Sequence, residues 1–175
     1  NALPENKAVQ SLMKKLLFIP LLALLSACSG GYSFTGGDVG EAETISIDYF
    51  PNYAQIVKPG LSQTFTEQLR DLFVQLTPLA LTERNADLEI SGSITGYEIS
   101  PINAQASDVG AVAQNRLTIT VNVIFSNTLE PDKSFERSFS RFTDFDANTN
   151  LDQVEAQLHQ EIVQQLSENI LNQAI

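Results

Sequence analysis

The sequence predicts an α+β fold, a two-layer sandwich with two helices on one face of a mixed four-stranded sheet, in the order β-α-β-β-β-α. Three observations predict it. Segments 44–50, 88–99, 117–125 and 134–145 carry apolar residues at or near period two, whereas 59–77 and 151–175 carry them at helical spacing. One helix lies between the first two strands, which makes that pair parallel through a right-handed crossover, and the later strands follow as an antiparallel meander. Each helix has a single apolar face, so both can be buried on the same side of the sheet.

The first strand alternates Ile45, Ile47 and Tyr49 against Ser46 and Asp48, and Pro51-Asn52 ends it. The first helix, from Pro59 to Thr77, aligns Leu61, Phe65, Leu69, Leu72, Phe73 and Leu76 on one face. Pro59 suits its first turn, Thr64 with Glu67 has the spacing of a capping box, and Pro78 closes it. In the second strand Gly92 and Gly96 interrupt the inward row of Leu88, Ile90 and Ile94, which signals a bulge or a close approach. A polar stretch, Ser100 to Asn115, has no period and is expected to be a long loop.

Leu117, Ile119, Val121, Val123 and Phe125 alternate without a break. After a turn at Asn127 to Lys133, the last strand sets Arg137 and Arg141 on the parity of Phe135, Phe139 and Phe145, so it needs a bulge or a partly solvated face. The final helix runs from Leu151 to the chain end on Leu151, Val154, Leu158, Ile162, Leu166 and Ile170, with Asn150 as its expected N-cap. In this topology the loops 51–58, 100–115 and 146–150 share one end of the domain.

The chain ahead of the sandwich has a different character. From Met13, two lysines, an apolar run Leu16 to Leu25 and the small residues Ser26-Ala27 lead to Cys28, the order of a secretory signal. The run is too short for a membrane span, which needs roughly 20 apolar residues. Leu25-Ser26-Ala27-Cys28 reads as a lipobox, with Cys28, the only cysteine, as the residue acylated by diacylglycerol and a fatty acyl group. The expected organisation is an upstream extension 1–12, a signal 13–27, an acylated glycine-rich tether 28–43 and a single domain 44–175.

Removing the leader takes with it Lys7, Lys14, Lys15 and Glu5 and moves the formal charge from −11 to −13. Such a surface repels nucleic acid, so no nucleic-acid partner is expected. The only histidine, His159, sits at the margin of a helical apolar stripe, and no Cys/His metal spacing or glycine-rich phosphate loop is present. We therefore expect no enzyme activity, no catalytic residues, no metal and no cofactor beyond the covalent lipid.

Five segments carry a family resemblance: Gly31-Tyr32-Ser33-Phe34, Thr44 to Asn52, Leu61 to Thr66, Gly92 to Tyr97, and Phe139-Ser140-Arg141-Phe142-Thr143-Asp144-Phe145. In this order after a lipobox, the chain resembles the lipopolysaccharide-assembly lipoproteins of the LptE type, in a Bacteroidetes-like form. The resemblance implies two helices on a four-stranded sheet, and a non-catalytic plug in the lumen of an LptD-type outer-membrane β-barrel that it helps to assemble. It also implies lipopolysaccharide binding and anchorage by lipid on the periplasmic side of the outer membrane. A generic outer-membrane lipoprotein adaptor or a periplasmic envelope chaperone is the alternative that the residues leave open.

Basic residues serve lipopolysaccharide in relatives, and here cations concentrate between Arg116 and Phe142. Arg116, Lys133, Arg137 and Arg141 are the candidate lipopolysaccharide-binding residues. For Arg137 and Arg141 two readings stay open: phosphate ligands, or else a solvated strand face or ion pairs with Glu136 and Asp144. Asn103, Asp108 and Ala147, in the loops of the far end, are the candidate barrel contacts.

Overall fold

A computed structural model describes residues 39–102 and 113–175. Their elements are β1 (Thr44–Ile47), α1 (Leu61–Leu76), β2 (Ala80–Leu81), β3 (Leu88–Ile102), β4 (Gln114–Asn127), β5 (Phe135–Asp146) and α2 (Leu151–Ala174), with a 3-10 turn at Pro131–Lys133. All belong to one compact unit. Strand order is β2-β1-β3-β4-β5, with β1 parallel to both its neighbours and β3-β4-β5 antiparallel.

The α+β class and the two-helix layer are as expected, but the described sheet has five strands instead of four. The extra strand is Ala80–Leu81, which the chain leaving α1 adds to the edge of β1 through Ala80 N to Glu43 O and Thr82 N to Ile45 O, each 2.8 Å. Two residues are too few to show a period, so nothing in the sequence marks them.

α1 begins two residues later than expected because Gly60 takes the N-cap, in the left-handed region at φ 81°, where glycine carries no Cβ penalty. Thr64 consequently lies inside the helix, its N–H bonded to Gly60 O, and the expected capping box does not form. At the other end Thr77 turns extended while its N–H and hydroxyl both return to Phe73 O, and Pro78 follows. Asn150 caps α2 as expected, its Oδ1 accepting from Asp152 N at 3.1 Å.

A register shift between Ile94 and Gly96 reverses the parity of β3, so Leu88, Ile90, Ile94 and Tyr97 all reach the core. Gly92 answers to close approach: a Cβ there would stand 2.1 Å from Asn122 O and 2.6 Å from the Phe50 ring. The pairing of β4 with β5 runs unbroken from Gln114↔Asp146 to Phe125↔Phe135. The last strand therefore has no bulge, and its inward parity is a partly solvated margin of the sheet.

Ile45, Ile90, Ile94, Leu117, Ile119, Val121 and Val123 from the sheet meet Phe65, Leu69 and Phe73 of α1 and Ile162, Leu166 and Ile170 of α2, all essentially inaccessible. Truncating one such side chain, as in Ile162→Ala, typically costs about 2–5 kcal/mol. The other sheet face, with Thr118, Thr120, Asn122, Ser138 and Ser140, is uncovered and polar. Register also fixes the two ends. Ile102 pairs Gln114, which pairs Asp146, so the ends of β3 and β5 and the start of β4 meet at one, distal end. Residues 39–44, the start of β3 and the 128–134 turn meet at the proximal end.

Candidate functional site

The four candidate cations occupy three separate surfaces. Arg116 projects from β4 onto the open face, where it lies opposite Asp144 in register. Its Nε and Nη2 donate to Asp144 Oδ1 at 2.8 Å and Oδ2 at 2.9 Å, and its guanidinium carbon lies 3.6 Å from the centre of the Phe142 ring. The hydrogen bond to Arg116 holds the Asp144 carboxyl below the usual carboxylate range, and Asp144 in turn raises Arg116. A fork-to-fork pair stacked on an aromatic fixes the arginine in one geometry.

Lys133 lies in the 3-10 turn at the proximal end, 2.7 Å from Glu130. Arg137 and Arg141 are on the helix-facing parity of β5, where Arg137 donates to Gln173 and Arg141 to Asn169, both on α2. Neither forms the ion pair with Glu136 or Asp144 that was one of the open readings. Glu136 and Asp144 have the opposite parity and are engaged by Asn122 at 3.0 Å and by Arg116. Arg116 and Lys133 stand at opposite ends of β4, on the order of 40 Å apart at strand rise.

At the distal end, Ala147 is exposed in the β5–α2 turn, its N–H bonded to Ala113 O at 2.9 Å. Asp146 Oδ1 holds the same turn by accepting from Asn148 N and Nδ2. Asn103 and Asp108 lie outside the described residues, between strand ends that face this turn. Cys28 and the leader lie outside them as well.

Beside the turn is a polar network that sequence reasoning missed. Tyr97 on β3 donates to Glu155 Oε1 at 2.9 Å and lies 3.1 Å from His159 Nε2. Lys58, in the β1–α1 loop, reaches the same Glu155 oxygen at 2.6 Å and lies 5.8 Å from the centre of the Tyr97 ring. Burial raises the Tyr97 phenol, helped by Glu155. Burial also lowers His159, against the pull of Glu155 and with the push of Lys58, so its imidazole is held neutral. Burial would raise Glu155, but hydrogen bonds from Lys58 and Tyr97 outweigh it and the carboxyl falls below its usual range. The only advance signal was the i, i+4 spacing of Glu155 and His159 on one helix.

The β1–α1 loop next to this network exposes Tyr49, Tyr53, Ile56 and Val57, with Tyr53 at 74% and Val57 at 62% exposure. Among the described residues no group of three or more His, Cys, Asp or Glu is arranged to hold a metal ion. No described helix is long and apolar enough to cross a membrane.

Comparison with known proteins gives a family model, LptE, described as lipopolysaccharide-assembly, that matches residues 42–174. Among solved structures, a minor lipoprotein from Acinetobacter baumannii is similar at 13% identity and a TM-score of 0.53, over 75% of this chain and 91% of that one. The hypothetical protein CT253 from Chlamydia trachomatis is similar at 7% identity and a TM-score of 0.51, over 76% and 98%. At these identities the likeness is one of fold. No curated protein matches the chain.

Proposed function

This chain belongs to the LptE family of lipopolysaccharide-assembly lipoproteins, and from that premise we propose that it is the plug and assembly partner of an LptD-type outer-membrane β-barrel. Cys28, acylated after removal of 13–27, anchors the protein to the periplasmic side of the outer membrane through residues 28–43. The distal end enters the barrel lumen, with Asn103, Asp108 and Ala147 in its contact loops. Acylation keeps the local concentration of plug high near the barrel. The work is assembly, and no catalytic step is invoked.

The observation that carries this reading is the polarity of the domain. The described domain begins at one end, while the ends of β3 and β4 that flank residues 103–112 and the turn at Ala147 lie at the other. The uncovered sheet face, rich in Ser, Thr and Asn, also suits the polar interior of a large barrel. Arg116, Lys133, Arg137 and Arg141 remain the proposed contacts for lipopolysaccharide phosphates. They lie on three surfaces, so they form no single cluster, with Arg137 and Arg141 together beside α2 and Arg116 the one on the open face.

The test is affinity purification of the tagged, acylated protein in mild detergent, followed by a salt wash. One large β-barrel in near-equal amount is the expected result. Recovery of the protein alone, or with soluble periplasmic partners, would replace the plug by a lipoprotein adaptor or envelope chaperone.

A further inference from the structure

The described sheet ends in two unlike edges. On the β2 side, the outward carbonyls of Glu43, Ile45 and Ile47 are taken by Ala80 N, by Thr82 N and by the Arg70 guanidinium. The other edge is β5, twelve residues with neither proline nor bulge. Ala147 N donates to Ala113 O at 2.9 Å, in the register that continues Gln114↔Asp146. Hydrogen-bonded pairs in an antiparallel ladder recur at every second residue, so the odd-numbered residues of β5 spend their backbone groups on β4 and the even-numbered ones direct theirs outward. Glu136, Ser138, Ser140, Phe142 and Asp144 thus present a row of alternating N–H and C=O groups. The described residues supply one partner to that row, Arg141 Nη1, which donates to Ser140 O at 2.9 Å.

Folds normally blunt a sheet edge by shortness, proline, lysine or a bulge, because a bare one pairs with another chain. This chain blunts the β2 edge and leaves β5 long and regular. Only an extended polypeptide matches donors and acceptors that alternate at strand spacing, so the backbone row fits a protein segment and no lipid or phosphate. Side chains then decide which segment. A second copy of β5 is selected against, because each register near the strand centre sets like charges opposite one another. Arg137 meets Arg141 when Ser138 faces Ser140, Glu136 meets Asp144 when Ser140 faces itself, and Arg141 meets its own copy when Ser140 faces Phe142. On the helix side of the edge, Arg137 and Arg141 flank Phe139 and reach only the amide oxygens of Gln173 and Asn169. In a chain of formal charge −11, neither makes an ion pair among the described residues. These two uncompensated cations lie beside whatever pairs with the edge.

We propose that the outer edge of β5 is a strand-addition site for an extended protein segment with an Asp or Glu two residues to either side of an apolar one. The segment's backbone pairs with the outward row, its carboxylates lie beside Arg137 and Arg141, and its apolar side chain lies beside Phe139. Arg141 leaves Ser140 O for the incoming carboxylate, which frees that carbonyl for the ladder. Arg-x-Phe-x-Arg reads alike in both directions, so parallel and antiparallel docking both satisfy it. The site needs no barrel and stands apart from the plug reading, and a lipid phosphate would compete with it only for the two arginines.

The experiment titrates a fluorescent peptide, Thr-Glu-Thr-Val-Thr-Glu-Thr, into the full acylated chain in mild detergent, with Thr-Lys-Thr-Val-Thr-Lys-Thr as its control. The acidic peptide is expected to bind, and the basic one to bind roughly tenfold or more weakly. Ser140→Pro removes an outward N–H and no bond to β4, so it should weaken the acidic peptide about tenfold or more with a melting temperature close to wild type. Should that variant fail to fold, Arg137→Glu/Arg141→Glu carries the test: the backbone row survives, and preference should pass to the basic peptide. No binding of the acidic peptide, equal affinity for both peptides, or undiminished binding in folded Ser140→Pro overturns the site. A dimer of the full chain that Ser140→Pro dissociates overturns it in favour of self-pairing.

Discussion

The proximal and distal ends of the domain are built on opposite principles. At the proximal end two side chains, Asp87 and Asn127, are spent largely on the chain's own backbone. Asp87 Oδ2 accepts from Glu43 N, Thr44 N and Thr44 Oγ1, and its backbone carbonyl accepts from Thr128 N and Oγ1. Asn127 Oδ1 ties down Leu129 N and Glu130 N. Beyond the middle of β3 the polar groups instead serve one another, with Lys58, Tyr97, Glu155 and His159 in a shared network at the start of α2. The first arrangement closes the fold where the chain enters. The second joins a loop, a strand and a helix through their side chains.

Breaking the root of the β1–α1 loop should have the largest effect. Phe50 is fully buried, packs against Phe65, and donates its N–H to Thr66 Oγ1 at 3.1 Å. Phe50→Ala should lower stability by about 3–5 kcal/mol in urea unfolding. A loss under about 1 kcal/mol would mean that the loop carrying Lys58 is not rooted in the core.

Tyr97→Phe is the next test, because it removes one hydroxyl that serves two partners at a buried site. The expected loss is about 1–2 kcal/mol. The same network makes stability depend on pH. His159 titrates below its ordinary 6.5 in the folded chain, so the unfolded chain binds its proton first. The contribution is fully present above pH 6.5 and is lost as pH falls through the lower folded value. His159→Gln should flatten that dependence in unfolding midpoints measured between pH 7 and 5, and an unchanged slope would show that the imidazole titrates alike in the folded and unfolded chain.

What was legible in the sequence divides along the same line. Period two in Leu117–Phe125 and the helical stripes are local patterns, and they place the sheet, the helices and hence the two ends. Gly92 and Gly96 announced the irregularity in β3 because glycine in a strand usually marks one. Ala80–Leu81 escaped because a two-residue strand has no period. Ion pairs of Arg137 and Arg141 with Glu136 and Asp144 stood among the open readings because the actual partners, Gln173 and Asn169, come from a helix about thirty residues on. The network at the tip draws on a loop, a strand and a helix, so no window of sequence contains it. Tyr53, Ile56 and Val57 were plainly apolar, but in a segment read only as a connection their exposure could not be told from burial.

The smallest effect gives the sharpest comparison, because each end carries one lysine–glutamate pair of nearly equal length. Lys58–Glu155 is 2.6 Å with both side chains 22% exposed, whereas Lys133–Glu130 is 2.7 Å with 53% and 47% exposed. Solvent screens the second pair and its long side chains give up entropy to hold it, so Lys133→Ala should change stability by no more than about 0.5 kcal/mol. Removing Lys58 leaves Glu155 partly buried beside Tyr97 and His159 with one partner fewer, so Lys58→Met should cost more, about 1 kcal/mol. Glu155 titrates below its ordinary 4.5, so its share of stability is present above that pH and fades as pH falls through the lower folded value. The difference between the two lysine variants should therefore shrink in acid. Equal losses at neutral pH would mean that the tip network is no more than a surface ion pair, and the distal end would lose the feature that sets it apart.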